Sequence, residues 1–109
     1  MKKPKSVNIF GKEYSITYVD NPAEVDLYKR KSLWGQIDYW TRTIRVYDNN
    51  RNPTDIFETI IHEILHAIDS EMCLNLFSSD KDKDHEKLEI VSVSLADVLT
   101  RNGWVKIEV

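Results

Sequence analysis

The feature that most constrains the fold is a segment whose apolar residues recur at helical spacing, IFETIIHEILHAIDSE, residues 56–71. Apolar side chains three and four positions apart form one stripe along a helix, so this spacing predicts an amphipathic helix over about 53–72. Asn52 can cap this helix, and Pro53 suits its first position. The predicted stripe comprises Phe57, Ile60, Ile61, Ile64, Leu65, Ile68 and Met72. Such a helix must bury its stripe against another element of structure.

The chain before this helix is rich in β-branched and aromatic residues at roughly alternating positions, which predicts strands over about 6–48. Two hairpins are indicated. The first is expected to turn at Gly11 and Lys12, because a glycine there lies between two strand-like runs. The second is expected to turn near Thr41 and Arg42.

A polar connection at 20–31, with a short helical turn around 22–28, is expected between the hairpins. A charged loop precedes a second helix, predicted over about 84–101. Small residues at Ser92 and Ala96 are expected to let the two helices approach closely. The apolar stripe of the second helix is predicted to comprise Leu88, Val91, Leu95, Val98 and Leu99. Strands followed by helices favour one α+β domain over 1–109, with a short strand or tail after the second helix.

Length and charge limit the kinds of function to consider. A chain of 109 residues with a net charge of −3 forms one domain and has no general attraction for nucleic acid or anionic lipid. The N-terminal residues MKKPKSVNIF lack the apolar segment of a signal peptide, and no run has membrane-spanning length. A single cysteine, Cys73, fits a reducing compartment and is expected to be a small buried apolar residue. These features predict a cytoplasmic protein, monomeric or of few copies.

The predicted first helix carries the motif His-Glu-x-x-His, formed by His62, Glu63 and His66. Residues four apart are neighbours on a helix surface, so the two imidazoles lie together at the edge of the apolar stripe. Two imidazoles in this arrangement can bind Zn²⁺, and the carboxylate between them can act as general base toward a water on the metal. The motif therefore predicts a zinc site with hydrolytic chemistry.

A catalytic zinc ion needs a third protein ligand, and the second helix supplies the best candidate. Glu89 lies at the edge of that helix that borders its apolar stripe, and His85, one turn earlier on the same edge, is the alternative. One class of zinc protease has a third histidine where this chain has Met72, so that class is excluded. Cys73 lies about 10 Å of helical rise beyond His66, too far to share a metal with His62.

The segments LWGQIDYWTRTIRV, ETIIHEILHAID and LEIVSVSLADVLTRNG resemble the small HExxH zincins of phage and bacterial origin, related to the ImmA/IrrE-type metallopeptidases. The resemblance implies a minimal zincin fold, in which a small twisted sheet packs on the active-site helix and a second helix. In that family a glutamate opening a Glu-x-x-Ala-Asn pattern is the third ligand. Here Glu89 is followed at the matching positions by Ser92 and Val93, so the asparagine is missing. The resemblance also implies that the 43–47 strand binds substrate, and that the substrate is a regulatory protein.

The predicted mechanism assigns Zn²⁺ to His62, His66 and Glu89, and assigns proton transfer to Glu63. Asp69 is expected to orient one ligand imidazole through its other ring nitrogen. Three side chains are candidates to stabilise the oxyanion or contact substrate, and the sequence does not choose among them: His85, Tyr39 and Tyr47.

Three functional hypotheses follow from the sequence. The first is a zinc metallopeptidase with a narrow protein substrate, in which a protein partner completes the cleft of so small a domain. The second is a catalytically silent, zincin-shaped zinc-binding module with a regulatory role. The third is a metal-free structural domain whose histidines are bonded by Asp69, Glu89 or the backbone.

Overall fold

The structure, a computed structural model, describes residues 3–21, 25, 34–77 and 82–106. Within these ranges four strands precede two helices, as the change from alternating to helical spacing predicts. The strands are β1 (Ser6–Ile9), β2 (Lys12–Val19), β3 (Gly35–Asp38) and β4 (Thr43–Tyr47), and the helices are α1 (Pro53–Glu71) and α2 (Asp82–Arg101). The α+β class is confirmed.

The strands form one mixed sheet in the order β1-β2-β4-β3. Both predicted hairpins are present as antiparallel pairs, β1 with β2 and β3 with β4, and the two hairpins join through a parallel pairing of β2 with β4. The first turn lies one residue earlier than predicted, at Phe10 and Gly11, whose φ angles are 53° and 84°. Lys12 is already the first residue of β2. Positive φ at both central residues matches the right-handed twist of the flanking strands.

The main core lies between the sheet and α1. Its buried residues alternate along the strands and follow helical spacing on α1, so each element contributes one face. Ile44 and Val46 of β4, the strand between β2 and β3, are fully buried at its centre. The cluster comprises Ile9, Tyr14, Ile16, Ile44, Val46, Ile56, Ile60 and Ala67. This packing fixes which side of α1 remains available for a site.

Helix α1 begins where the sequence predicts. The side chain of Asn52 accepts a hydrogen bond from the backbone N–H of Thr54 at 2.9 Å, and Pro53 is the first helical residue. Its other end is tied to the first hairpin, because the carboxylate of Glu71 accepts hydrogen bonds from Tyr14 Oη at 2.7 Å and Lys12 Nζ at 2.5 Å. Both ends of α1 are therefore anchored, which holds the side chains between them in place.

Helix α2 packs on α1 through a different stripe from the one predicted. Leu88, Ser92 and Ala96 are buried, and Ala96 packs with residues of α1. The small Ser92 and Ala96 let the helices approach, as expected, and Ser92 Oγ bonds the carbonyl of Leu88 at 2.7 Å. By contrast, Val91, Leu95 and Val98 are 41%, 37% and 47% exposed. The prediction was wrong for these three because a narrow seam of small residues, and not the largest apolar side chains, makes the helix contact.

The structure also bears on the predictions made for Cys73, for the segment 22–28, for the C-terminal residues and for membrane-spanning length. Cys73 is exposed at a positive-φ position after α1, so the expectation that it is buried was wrong. The predicted helical turn at 22–28 lies outside the described residues except for Val25, which is buried. Residues 104–106 form no strand, and 107–109 lie outside the described residues. Within the described ranges, neither helix is long and apolar enough to cross a membrane.

Candidate metal centre

The two motif histidines lie side by side on α1, on the flank that faces α2. The ring centroids of His62 and His66 are 5.1 Å apart, and the rings meet edge to face. Both residues are partly buried. The helical spacing thus brings together the two imidazoles that the sequence predicted to share a metal.

Both third-ligand candidates on α2 lie next to this histidine pair. The ring of His85 is 5.8 Å from that of His62 and 6.2 Å from that of His66, centroid to centroid. Glu89 Oε2 is 3.2 Å from His62 Nδ1. Three imidazoles on one tetrahedral zinc, with Zn–N bonds of about 2.0–2.1 Å, have ring centroids about 5 Å apart. The triangle of rings is therefore close to the size that a shared ion requires.

The donor set fits a divalent metal of the zinc type. Imidazole and carboxylate are the donors that zinc prefers alongside thiolate. Within the described ranges, no three His, Cys, Asp or Glu side chains are placed so that they could hold a metal ion without moving. For the three rings to bind one ion, the longest distance between ring centroids would have to shorten by about 1 Å, because the centroids are about 5 Å apart in a tetrahedral three-imidazole site.

Burial keeps both motif histidines in the form that binds metal. Desolvation, followed by the charges of His62 and His85, lowers the pKa of His66 to about 4. Desolvation also lowers the pKa of His62, although Glu89 opposes this shift. Both imidazoles are therefore neutral at pH 7, with a nitrogen lone pair available for a cation.

Glu63 carries its carboxyl group into the interior beneath the first strand of the second hairpin. The residue is only 4% exposed, and burial alone raises its pKa to about 8. Among the described residues, no hydrogen bond or neighbouring charge offsets that desolvation. A carboxyl group in this environment exchanges a proton near neutral pH, which is the property required of a general base or acid.

Gly35 makes room for that carboxyl group. A Cβ atom at Gly35 would lie 2.6 Å from Thr59 Cγ2 and 3.2 Å from Glu63 Oε1. The backbone of β3 can therefore approach α1 this closely only because residue 35 has no side chain. A glycine within a run of strand-forming residues is a recognised signal of close backbone approach, and it was the available sequence clue to this contact.

We expect Gly35→Ala to destabilise the protein by about 1–3 kcal/mol, because the added methyl group overpacks the contact with Thr59. Denaturant unfolding measures the change. The double substitution Gly35→Ala with Thr59→Ser removes the methyl group at 2.6 Å and should recover a large part of the loss. Serine keeps the hydroxyl that bonds Arg51 and the carbonyl of Asp55. Equal stability of Gly35→Ala and the wild type would contradict this account of the contact.

The remaining predicted residues have distinct positions. Tyr39 Oη lies 3.4 Å from the carbonyl oxygen of His66, and desolvation, followed by the charge of Glu63, raises its pKa to about 12. Tyr47 packs its ring 5.6 Å from that of Trp34. Asp69 accepts hydrogen bonds from the backbone N–H groups of Leu76 at 2.8 Å and Phe77 at 3.1 Å. Those bonds hold the chain that follows α1. No described hydrogen bond joins Asp69 to an imidazole, although the charge of Asp69 acts to raise the pKa of His66.

A cavity of about 570 Å³ is lined in part by His62, His85 and Glu63. Trp34 and Gly35 at the start of β3 form one wall, and Arg51 before α1 forms part of another. The edge strand at this wall is β3, because β4 is paired on both sides. The assignment of the substrate-binding edge to 43–47 was therefore wrong. The parallel pairing of β2 with β4, which spacing along the chain does not reveal, places β4 inside the sheet.

No protein-family model, no curated protein and no solved structure matches this chain. The class that the structure itself defines is an α+β domain with a four-stranded mixed sheet and two helices. The resemblance to the ImmA/IrrE-type zincins stays a prediction, carried by the motif of His62, Glu63 and His66 and by Glu89 on the second helix.

Proposed function

We propose that this protein is a zinc-dependent metallopeptidase that hydrolyses peptide bonds of a protein substrate in the cytoplasm. The observation that carries the proposal is the grouping of three imidazoles, with centroids 5.1–6.2 Å apart, beside the buried carboxyl group of Glu63. Uncompensated burial of a carboxyl group costs stability, and a role in proton transfer accounts for that cost. A cavity of about 570 Å³ next to these groups offers space for a peptide.

His62 and His66 would hold the metal, and we assign the third position to His85. Glu89 Oε2 lies at hydrogen-bonding distance from His62 Nδ1, which leaves the other ring nitrogen of His62 for the metal. A carboxylate bonded to the second nitrogen of a ligand imidazole fixes the ring orientation and raises its basicity. Glu89 then affects metal binding indirectly, by orienting the ring of His62. This assignment gives the third position to His85, the alternative ligand of the sequence prediction, in place of Glu89.

We assign proton transfer during hydrolysis to Glu63. Bound zinc would supply a Lewis acid that polarises the substrate carbonyl and lowers the pKa of a water. The carboxylate of Glu63 accepts a proton from the attacking water and later donates it to the leaving amine. Burial maintains a site with little bulk water around Glu63. We assign to the Tyr39 hydroxyl group, whose raised pKa keeps it protonated and which lies 3.4 Å from the carbonyl oxygen of His66, the donation of a hydrogen bond to the oxyanion.

Metal analysis tests this proposal. Protein purified without added metal should contain about one equivalent of zinc and should hydrolyse an unstructured protein substrate, as expected for three-ligand catalytic sites. Removal of zinc with a chelator should stop hydrolysis, and added zinc should restore it. Zinc binding without hydrolysis of any substrate would favour the silent zinc-binding module. Protein that takes up no zinc would contradict both and leave the metal-free structural domain.

A further inference from the structure

The cavity beside the candidate metal centre extends well beyond it. One end is lined by His62, Glu63, His85 and Glu89, and the other continues past the first two turns of α1. Its volume of about 570 Å³ lies within the range of about 300–1,000 Å³ that ligand pockets occupy. The proposed hydrolysis uses only the first end. The other end therefore has space for a substrate side chain next to the reacting groups.

Several carboxylates lie in the wall of the cavity. Asp55 and Glu58 project from α1, and Glu89 projects from α2. Burial and then the negative charges of Asp55 and Glu89 raise the pKa of Glu58, as expected if the three groups face a shared space. At the inner end, the carboxyl group of Glu63 is 4% exposed and accepts no hydrogen bond from any described residue. Glu63 thus presents its carboxyl group to the inner end of the cavity.

Among the described residues that line the cavity, Arg51 is the one arginine or lysine, and its donors are largely occupied. Its guanidinium group donates to the carbonyl of Tyr47 at 2.7 Å, to Thr59 Oγ1 at 2.8 Å and to the carbonyl of Asp55 at 3.1 Å. The same group lies 4.5 Å from the ring centroid of Trp34. Arg51 thus holds β4, α1 and Trp34 together as a wall and is poorly placed to receive an anion. In the described part of the lining, the carboxylates of Asp55, Glu58 and Glu89 face one occupied guanidinium, which makes this part of the cavity electronegative.

Trp34 adds an apolar surface to the electronegative wall. The side chain is 61% exposed and lines the cavity at the edge strand β3. Long basic side chains bury their methylene stems on apolar or aromatic surfaces and keep the charged head near carboxylates or water. Trp34 together with Asp55 and Glu58 offers both kinds of contact. Neither an acidic nor a purely aliphatic side chain would use both.

We propose that this cavity binds a lysine or arginine side chain of the peptide substrate, next to the bond to be cleaved. The placement next to the cleaved bond rests on the proposed peptidase function, whereas the binding of a basic side chain can be tested without hydrolysis. Asp55 and Glu58 are the specificity-determining residues. The proposed mechanism gives neither of them a role at the histidine cluster, which is formed by His62, His66 and His85.

Binding to metal-free protein is the first test. The probes are acetyl-Ala-Lys-Ala-amide and matched peptides with norleucine or glutamate in place of lysine, followed by NMR through the indole N–H of Trp34. We expect the lysine peptide to bind at least about threefold more tightly than the norleucine peptide, from one partly screened ion pair. Glu58→Gln should remove most of that preference. Glu13→Gln, the same change on the exposed first hairpin, should not affect it.

The outcomes separate this inference from the proposed function. Equal binding of the lysine and norleucine peptides, or preferred binding of the glutamate peptide, would overturn it. If zinc-loaded protein cleaves peptides, kcat/KM should favour the lysine peptide and fall toward the norleucine value in Glu58→Gln. Cleavage without that preference would overturn the inference and leave the peptidase function standing. Preference for lysine in binding without cleavage would support the cavity assignment while the peptidase function fails.

Discussion

Replacing Glu63 with glutamine should lower kcat for peptide hydrolysis by about 10²–10⁴-fold, the contribution typical of a positioned general base. Glutamine has nearly the same shape, so it fits beside Gly35 and Thr59. It cannot accept the proton of the attacking water or return it to the leaving amine. Zinc content should remain that of the wild type, because Glu63 is not among the proposed ligands. Steady-state kinetics and metal analysis on the same preparation measure both effects.

The control for this substitution is Glu86→Gln, the same chemical change at an exposed residue of α2 that does not line the cavity. It should leave kcat unchanged. If Glu63→Gln retained wild-type activity, the assignment of proton transfer to Glu63 would be wrong. If the Glu63→Gln variant lost zinc as well as activity, Glu63 would contribute to metal binding and not to proton transfer.

Glu63→Gln has a second expected effect, on stability in the absence of metal. The pKa of Glu63 is about 8 in the folded protein and 4.5 in its ordinary state. A raised folded-state pKa means that stability is complete below pH 4.5 and is lost as the pH rises toward 8. Each unit of pKa difference corresponds to about 1.4 kcal/mol. Metal-free Glu63→Gln should therefore unfold at higher denaturant concentration than the wild type at pH 8–9, and the gap should close near pH 4.

Substitutions at the histidine cluster should reduce zinc affinity in a definite order. Structural zinc sites contribute about 10–16 kcal/mol, so one of four ligands accounts for about 3 kcal/mol, or about a hundredfold to a thousandfold in affinity. We expect losses of this size for His62→Ala and His85→Ala. Glu89→Gln should cost about tenfold, the lower end for a residue that orients a ligand, because the amide oxygen can still accept a hydrogen bond from His62.

Competition against a zinc-binding dye measures these affinities, with Glu86→Gln again as the control. A large loss for Glu89→Gln with little loss for His85→Ala would reverse the assignment of the third ligand. That result would restore the arrangement indicated by the sequence pattern, with Glu89 on the metal. Little loss for His62→Ala would contradict the metal site altogether.

Local signals in the sequence predicted the local parts of this architecture. The capping residue Asn52 and Pro53 marked the start of α1, and helical spacing placed His62 and His66 side by side. These features depend on neighbours within one or two turns, so a single sequence contains them.

The parts that depend on distant pairing were harder to predict. Alternating residues identify two hairpins but not which of their strands pair, so the edge position of β3 required the structure. The sequence did not determine which face of α2 packs on α1, because its apolar residues occupy more than one face. In the structure the face with the small residues Ser92 and Ala96 makes the contact. The part played by Arg51 depends on contacts with Trp34, Tyr47 and Thr59 that come together only in the folded chain.

The most direct test of the central claim is a crystal structure of the protein grown with zinc. We expect one ion bound by His62 and His66 on α1 and by a donor from α2, with the Glu63 carboxyl group facing the open side of the ion. An ion that contacts only one of the two α1 histidines, or a histidine cluster that stays free of zinc at saturating concentration, would contradict the proposed metal centre.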